Sequence, residues 1–500
     1  MIALPSLPTS QAEKPSAHAL EVGLKTAQAI WWSTGQQLAT NFVSFGGYIV
    51  LARLLHPSDF GLFAFASVFI ILLQTFTDQG IPDAVVQRAT LEKAHLDTAF
   101  YFNIALSFAL AGLLWLTAPF VSALVHQPEL NPVLRCLVWM LPLSALGGIH
   151  QALLKRRLEY RTLGIQNFAA TVVGTGTGVI LAWNGAGIWC LVGQQLASVW
   201  CLTLVAWRAA RWFPGLDVRL AELRELGSFS VHITGGALLD FINRRADDFL
   251  IGVFLGTTAL GYYSLAYRLL LTFTRLISSP FNSVAFSAFS RLQHEPEERR
   301  RMFYRLAQIV AALAFPAFLG LAAVAPDVIR VGFGAAWMPS VPVLQILCFI
   351  GVLHCVVFLH GTLIRAAGRP DWQMLFTLGG ALTNLIGFCF VVHYGMIYVA
   401  LWYVTSAYLW LGVDLMLVKR ILAHSTSRYL CLFLPALITG MTVSTLMLAV
   451  QALLPGDLPA WSRLTLELTL GGLALAIFYA PILFNRQRSS RAAQPIPSYS

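Results

Sequence analysis

Two stretches of this sequence, VLARLLHPSDFGLFAFA at residues 50–66 and LIGVFLGTTALGYYSLA at residues 250–266, align without a gap at an offset of 200 residues. Leu55 matches Leu255, Gly61 matches Gly261, Phe63 matches Tyr263 and Ala66 matches Ala266. A weaker match at an offset of 210 sets Pro132-Val133-Leu134 against Pro342-Val343-Leu344, His150 against His360 and Lys155 against Arg365. Each copy of the first match is an apolar run interrupted by turn-forming residues and then resumed, as in a helical hairpin. A bland reading makes both copies unrelated Gly-punctuated hairpins. Two matches in register favour an internal repeat, in which six apolar segments are followed by six more in the same orientation.

The chain around these copies is too apolar to cover a water-soluble surface. Of its 500 residues 57% are hydrophobic and 11% charged, and the mean hydropathy is +0.69; an ordinary soluble domain carries roughly 25% charge. Apolar runs fall near residues 27–55, 59–80, 98–124, 132–154, 163–183, 186–207, 227–251, 259–288, 303–324, 341–364, 372–393, 396–418, 429–453 and 463–484. Each is long enough to cross a hydrocarbon core of roughly 30 Å as a helix. The expected fold class is all-α, a polytopic membrane protein of about fourteen transmembrane helices. Its divisions are an N-terminal tail (1–26), an N-lobe of six spans (27–210), a C-lobe of six spans (227–424), a further helix pair (429–484) and a C-terminal tail (485–500). Parallel repeats of this kind are a transporter architecture, with the substrate site in the cleft between lobes.

Charge placement gives an orientation. With both termini cytoplasmic, the inner segments hold 25 of the 33 basic residues, among them Lys155, Arg156, Arg157, Arg208, Arg299, Arg300 and Arg301. The outer segments hold only Arg53, Arg330 and Arg463. This is the positive-inside distribution of an inner-membrane protein. The formal charge of +10 is spread over short loops and is not gathered on a solvated face, so a nucleic-acid partner is not expected. The longest outer loop, about 325–340, leaves no room for a soluble catalytic domain. No GxxxxGK[ST] motif occurs, and the seven cysteines show no metal-ligand spacing and read as small core residues. The reading is therefore of a transporter and not an enzyme, with no metal or organic cofactor.

The informative residues are the charges inside spans. Span 7 carries Asp240, Arg244, Arg245, Asp247 and Asp248, and span 8 carries Arg268 and Arg275. A charge facing lipid at the bilayer centre costs about 2.5–3.5 kcal/mol on insertion scales, so these seven must face protein or water. Arg275 lies one heptad from Arg268 and nearly on the same helix face, which makes a cationic track. The equivalent first-lobe positions are Ser44, Phe45 and Val68, so the charge belongs to one lobe and not to the shared hairpin. Arginine suits a diphosphate, because its planar fork makes paired, charge-assisted hydrogen bonds. Arg268 and Arg275 are the leading candidates for an anionic substrate group, with Arg244 and Arg245 next. Asp240, Asp247 and Asp248 are candidates for ion coupling or charge balance, including i,i+3 and i,i+4 pairing with the two arginines. Asp78, Asp414, Glu467, His232, His354 and His393 fall near span ends, where snorkelling or capping is expected. Trp31, Trp32, Trp115, Trp337, Trp372 and Trp461 fit interfacial belts.

The segments Ala52-Arg53-Leu54-Leu55-His56-Pro57-Ser58-Asp59-Phe60-Gly61, Asp78-Gln79-Gly80, Asn243-Arg244-Arg245-Ala246-Asp247 and Leu260-Gly261-Tyr262-Tyr263-Ser264 resemble the polysaccharide-transport flippases of the multidrug/oligosaccharidyl-lipid/polysaccharide (MOP) exporter superfamily, the Wzx and colanic-acid exporter group above all. The resemblance is densest over residues 25–100 and 225–295. It implies flipping of an undecaprenyl-diphosphate-linked oligosaccharide across the inner membrane for exopolysaccharide, capsule or lipopolysaccharide O-antigen assembly. It also implies alternating access, with membrane lipid, a glycan polymerase and a chain-length regulator as partners. In the family a second Asn often stands where this chain has Arg245, and a basic or amide residue where it has Asp248. The rival readings are an ion-coupled multidrug-type antiporter of the same superfamily, a membrane-embedded glycan polymerase or ligase, and a non-transporting scaffold.

Overall fold

The computed structural model describes the backbone of residues 17–78, 80–88, 91–292, 295–422, 425–453 and 458–492, with side chains between 35 and 478 apart from 220–233, 282–284, 286–287 and 370. Among the described residues there is no strand. The helices are α1 (Ala17–Leu54), α2 (Pro57–Asp78), α3 (Ile81–Gln87), α4 (Lys93–Leu124), α5 (Leu130–Leu137), α6 (Met140–Arg156), α7 (Tyr160–Trp183), α8 (Trp189–Ala210), α9 (Leu220–Phe254), α10 (Gly256–Arg291), α11 (Pro296–Gly332), α12 (Val341–Ala366), α13 (Pro370–Val391), α14 (Met396–Leu422), α15 (Thr426–Cys431), α16 (Leu434–Leu453) and α17 (Ala460–Ala492). Eleven helical segments among the described residues are long and apolar enough to cross a membrane. Every expected span falls on a helix; three of those helices, α1, α9 and α10, lie outside the eleven, at 38, 35 and 36 residues.

Helices α4, α6, α7 and α8 pack with α1 and α2 in one group, while α10, α11, α12, α13 and α14 pack with α9 in another. The two groups meet mainly where α2 lies along α10 and α9. Helices α16 and α17 are carried on α11.

The hairpins that repeat in the sequence turn by different chemistry. After α1, His56 N–H donates to the Asp59 carboxylate at 3.1 Å and Pro57 opens α2, where its missing N–H leaves no helical bond unmade. Between α9 and α10 the same reversal is made by Gly256 in the left-handed region, φ +84°, a conformation that a Cβ would strain. We call this side of the bundle the hairpin end. There the repeats touch one another. A Cβ on Gly61 would overlap the Thr257 carbonyl, and a Cβ on Gly261 would overlap the Pro57 carbonyl. Positions 57 and 257, like 61 and 261, differ by the repeat offset, so the contact is reciprocal about a pseudo-two-fold axis.

Beside that contact, Arg53 donates from Nε to the Gly332 carbonyl at 2.9 Å and from its terminal nitrogen to the Val331 carbonyl. Trp337 donates its indole N–H to the Ala52 carbonyl at 2.8 Å, and its ring meets Phe60 edge-on at 5.3 Å. Trp337 is only 1% exposed, so it is not the interfacial anchor that its sequence position suggests. The expected outer loop at 325–340 is also helical: α11 runs to Gly332, and a 3-10 turn covers Ala335–Ser340. This turn packs against α10, α11 and α12, and its buried Trp337 bonds α1. Cys389 and Cys431 are exposed on the bundle surface and are not core residues.

The repeat-related histidines are both buried and fasten different partners. His150 on α6 stacks on Trp207 at 4.5 Å and pairs through Nε2 with the Trp212 carbonyl at 3.2 Å. His360 on α12 pairs through Nδ1 with Asp414 of α14 and through Nε2 with the Tyr429 hydroxyl of α15, at 2.7 Å for the latter. Asp414, 1% exposed, is thus a buried tie between three helices and not a snorkelling end group.

Two measurements test this packing. Gly61→Val is expected to lower the unfolding midpoint of the detergent-solubilised protein markedly, while Gly46→Ala, whose Cβ would meet nothing within 4 Å, leaves it unchanged or slightly raised. Asp414→Ala strands a buried ring nitrogen and is expected to destabilise by about 1–3 kcal/mol, against a smaller loss for Tyr429→Phe in the same assay.

Candidate functional site

Between the two helix groups, below the hairpin contact, lies a cavity of about 400 Å³. One wall comes from α1 and α2, with Asn41, Ser44, Tyr48, Ser67 and Gln74; the other comes from α9 and α10, with Arg245, Asp248, Tyr267, Arg268, Thr272 and Arg275. Gln195 of α8 and Ser264 of α10 add to the polar lining. The cavity therefore carries three arginines and one aspartate, a net charge of +2.

The two arginines of α10 reach the same space because seven residues bring a helix almost back to the same face, about 10 Å further along its axis. Arg268 lies over the Tyr48 ring at 4.1 Å and points one terminal nitrogen at the Ser44 hydroxyl, 3.5 Å away. Both partners belong to α1, in the opposite helix group. A cation over an aromatic face at a solvent-open site gains about 0.5–1 kcal/mol, which helps to hold the guanidinium in place without neutralising it. Arg275 has no acidic side chain within ion-pair distance among the described residues, and its side chain is exposed to the cavity. A positive group with no counter-ion in a low-dielectric surrounding raises the local affinity for an anion.

Helix α9 divides its charges by face. Arg245 lines the cavity and is held at 2.8 Å by Asp248, which is 5% exposed. Asp247 turns away, accepting the Tyr263 hydroxyl at 2.7 Å and the Asp248 backbone N–H at 2.9 Å. Arg244 does not line the cavity. It pairs with Asp240 at 2.9 Å, with both side chains more than half exposed, on the side of α9 that faces His354 and Tyr403. Successive residues on a helix point about 100° apart, which sets Arg244 on a different face of α9 from Arg245. Of the seven charges singled out from sequence, Arg245, Asp248, Arg268 and Arg275 are brought together, and Asp240, Arg244 and Asp247 are not.

Sequence reasoning missed the first-lobe wall. Tyr48 and Ser44 occupy the positions equivalent to Asp248 and Arg244, so superposing the two repeats was the signal that could have found them. Asp78 also departs from its expected end-cap role: with Thr77 and Ser144 as hydrogen-bond partners, both at 3.1 Å, it joins α2 to α6. His232 falls outside the described side chains. Among the described residues no cluster of three or more His, Cys, Asp or Glu side chains could hold a metal ion.

Comparison with known proteins places this architecture. The chain is 27% identical over 381 residues to the lipopolysaccharide biosynthesis protein WzxC of Escherichia coli strain K12, covering 73% of this chain and 77% of that one. It is 24% identical over 373 residues to the teichuronic acid biosynthesis protein TuaB of Bacillus subtilis strain 168, covering 74% and 77% respectively. Among solved structures, the lipid II flippase MurJ in its inward closed conformation superposes with a TM-score of 0.75 over 90% of this chain and 99% of that one, at 12% identity, and so shares the fold. A family model described as polysaccharide biosynthesis protein matches residues 50–342, more than half of the chain. This multi-pass membrane protein belongs to the polysaccharide biosynthesis protein family.

Proposed function

We propose that this chain is a flippase that carries a polyprenyl-diphosphate-linked oligosaccharide across the inner membrane for surface-glycan assembly. The observation that carries the proposal is the cavity between the helix groups, with three arginines, two of them lacking any acidic partner among the described residues. A volume of about 400 Å³ lies within the roughly 300–1,000 Å³ of small-molecule sites. It suits a diphosphate with the first sugars while the polyprenyl tail stays in lipid. In this reading residues 27–210 and 227–424 act as two lobes, the hairpin end faces the periplasm, and both termini are cytoplasmic.

Arg268 and Arg275 bind the two phosphates, and Arg245 joins them when the substrate competes with Asp248 for its guanidinium. The lobes rock about the hairpin contact, closed here by Gly61, Gly261, Arg53 and Trp337, to expose the cavity to each side in turn. A multidrug antiporter fits less well, because a net +2 cavity repels organic cations. The names of relatives such as the succinoglycan biosynthesis transport protein ExoT and the probable glycan biosynthesis flippase Agl15 support a glycan cargo. A polymerase and chain-length regulator downstream of the exported unit complete the expected partners.

Complementation of a flippase-deleted strain tests this reading, with assay of the leaflet that holds the lipid-linked oligosaccharide. Arg268→Ala and Arg275→Ala, at membrane levels matched to wild type, are each expected to cut export about ten- to a hundredfold, the equivalent of a charge-assisted hydrogen bond of roughly 1.5–3 kcal/mol. The intermediate should then accumulate on the cytoplasmic face; normal export by both variants would make the arginines structural. In the same strain the double substitution Asp240→Asn/Arg244→Gln, which removes an exposed pair worth about 0–1 kcal/mol, should leave export within a few-fold of wild type.

A further inference from the structure

The last six residues of α11 are set off from the rest of the helix by Pro326. Proline lacks the N–H that would bond the carbonyl four residues earlier. That carbonyl, on Ala322, instead accepts the Gln345 side chain of α12 at 3.1 Å. The segment beyond the proline supplies the Val331 and Gly332 carbonyls to Arg53 and leads into Trp337, which bonds Ala52. It is therefore the part of one helix group that latches the other at the hairpin end.

Directly after the proline stands Asp327, 4% exposed, whose carboxylate accepts Gln451 Nε2 of α16 at 2.9 Å. Glu467 of α17 is 0% exposed and lies within hydrogen-bonding reach of the same carboxyl group. Neither of its oxygens has a donor. The pair sits about 8–10 Å in from the helix ends at a rise of about 1.5 Å per residue, buried between the helices. Of the other charged groups at this end of the three helices among the described residues, Arg463 of α17 faces Glu467, Arg330 of α11 is exposed, and α16 carries none. Among the described residues, two carboxylates against one guanidinium leave one negative charge in excess, and two acceptors in contact lack the hydrogen between them. Like charges at such a distance do not both ionise.

We propose that Asp327 and Glu467 form a proton-binding site that controls the hairpin-end latch. One proton, taken from the aqueous side of the hairpin end, is shared between the two carboxyl groups and cancels the excess charge. It ties the segment after Pro326 to α16 and α17 in the position from which its carbonyls hold Arg53. Loss of the proton sets the two carboxylates against each other, moves the segment about the proline and frees Arg53. The site is separate from the arginine cavity and takes a proton whatever substrate that cavity carries.

Infrared spectroscopy of the purified full-length protein in lipid nanodiscs, titrated with acid and base, detects the proton directly. A protonated-carboxyl band lost in both Glu467→Gln and Asp327→Asn, and unaffected by added sodium, is expected. Absence of such a band, or its displacement by sodium, would overturn the assignment, the second result making the site a sodium site. The latch is read by a membrane-impermeant maleimide applied from the hairpin side to Ser264→Cys, a cavity position, in a background freed of the other cysteines. Labelling should rise several-fold as pH rises in the otherwise native protein. It should stay low and independent of pH with Glu467→Gln, whose amide supplies the missing hydrogen. The same pH response in that variant would show that the proton does not act on the latch. Neither readout depends on glycan export, so failure here and failure of the flippase reading are distinguishable.

Discussion

Everything in this molecule is arranged around the close approach of α2 to α10, which two glycines make possible. At Gly61 and Gly261 the backbone of each repeat touches the carbonyl that opens the equivalent helix of the other. In lipid there is no hydrophobic drive to bring helices together, so contact depends on small residues and on polar groups that satisfy one another. Both are present at the hairpin end: the glycines fix the approach, and Arg53 and Trp337 supply hydrogen bonds across it. Because the groups touch firmly there and diverge below it, a cavity exists at all.

The charge in that cavity is supported without being cancelled. Arg245 has Asp248, but Arg268 rests on an aromatic face and a hydroxyl, and Arg275 meets no acid among the described residues. Acidic groups are not scarce nearby. Asp247 is engaged by Tyr263 and Asp240 by Arg244, each on another face of α9. The distribution leaves a positive interior bounded by the small and polar side chains of α1, an environment in which a phosphate gains more than it would in water.

Much of this is legible in the amino-acid sequence. The hairpin repeat gave the equivalence of α2 and α10, and hydropathy placed a helix on each expected span. The heptad spacing of Arg268 and Arg275 sets both on one face because it depends only on helix geometry. What could not be read is where helices face one another. Whether Arg244 or Arg245 reaches the cavity depends on a rotation of α9 that sequence spacing does not specify. Trp337 and Asp414 look like interfacial residues by position, and their burial comes from contacts more than 50 residues away, with Ala52 and His360. The packing of residues 325–340 on α10 and α12 is likewise a tertiary matter.

The reciprocal glycine contact has a consequence for how the two halves of such a chain can diverge. On the axis, each half meets its own counterpart, so a change at Gly61 alters the surroundings of Gly261 in the same step and the two positions must drift together. Away from the axis, equivalent positions see different neighbours: Arg268 faces Tyr48 across the cavity, while its counterpart Val68 is free to stay apolar. An internally duplicated protein can thus specialise one half for its cargo and leave the other as a wall, provided that the seam between them stays symmetric.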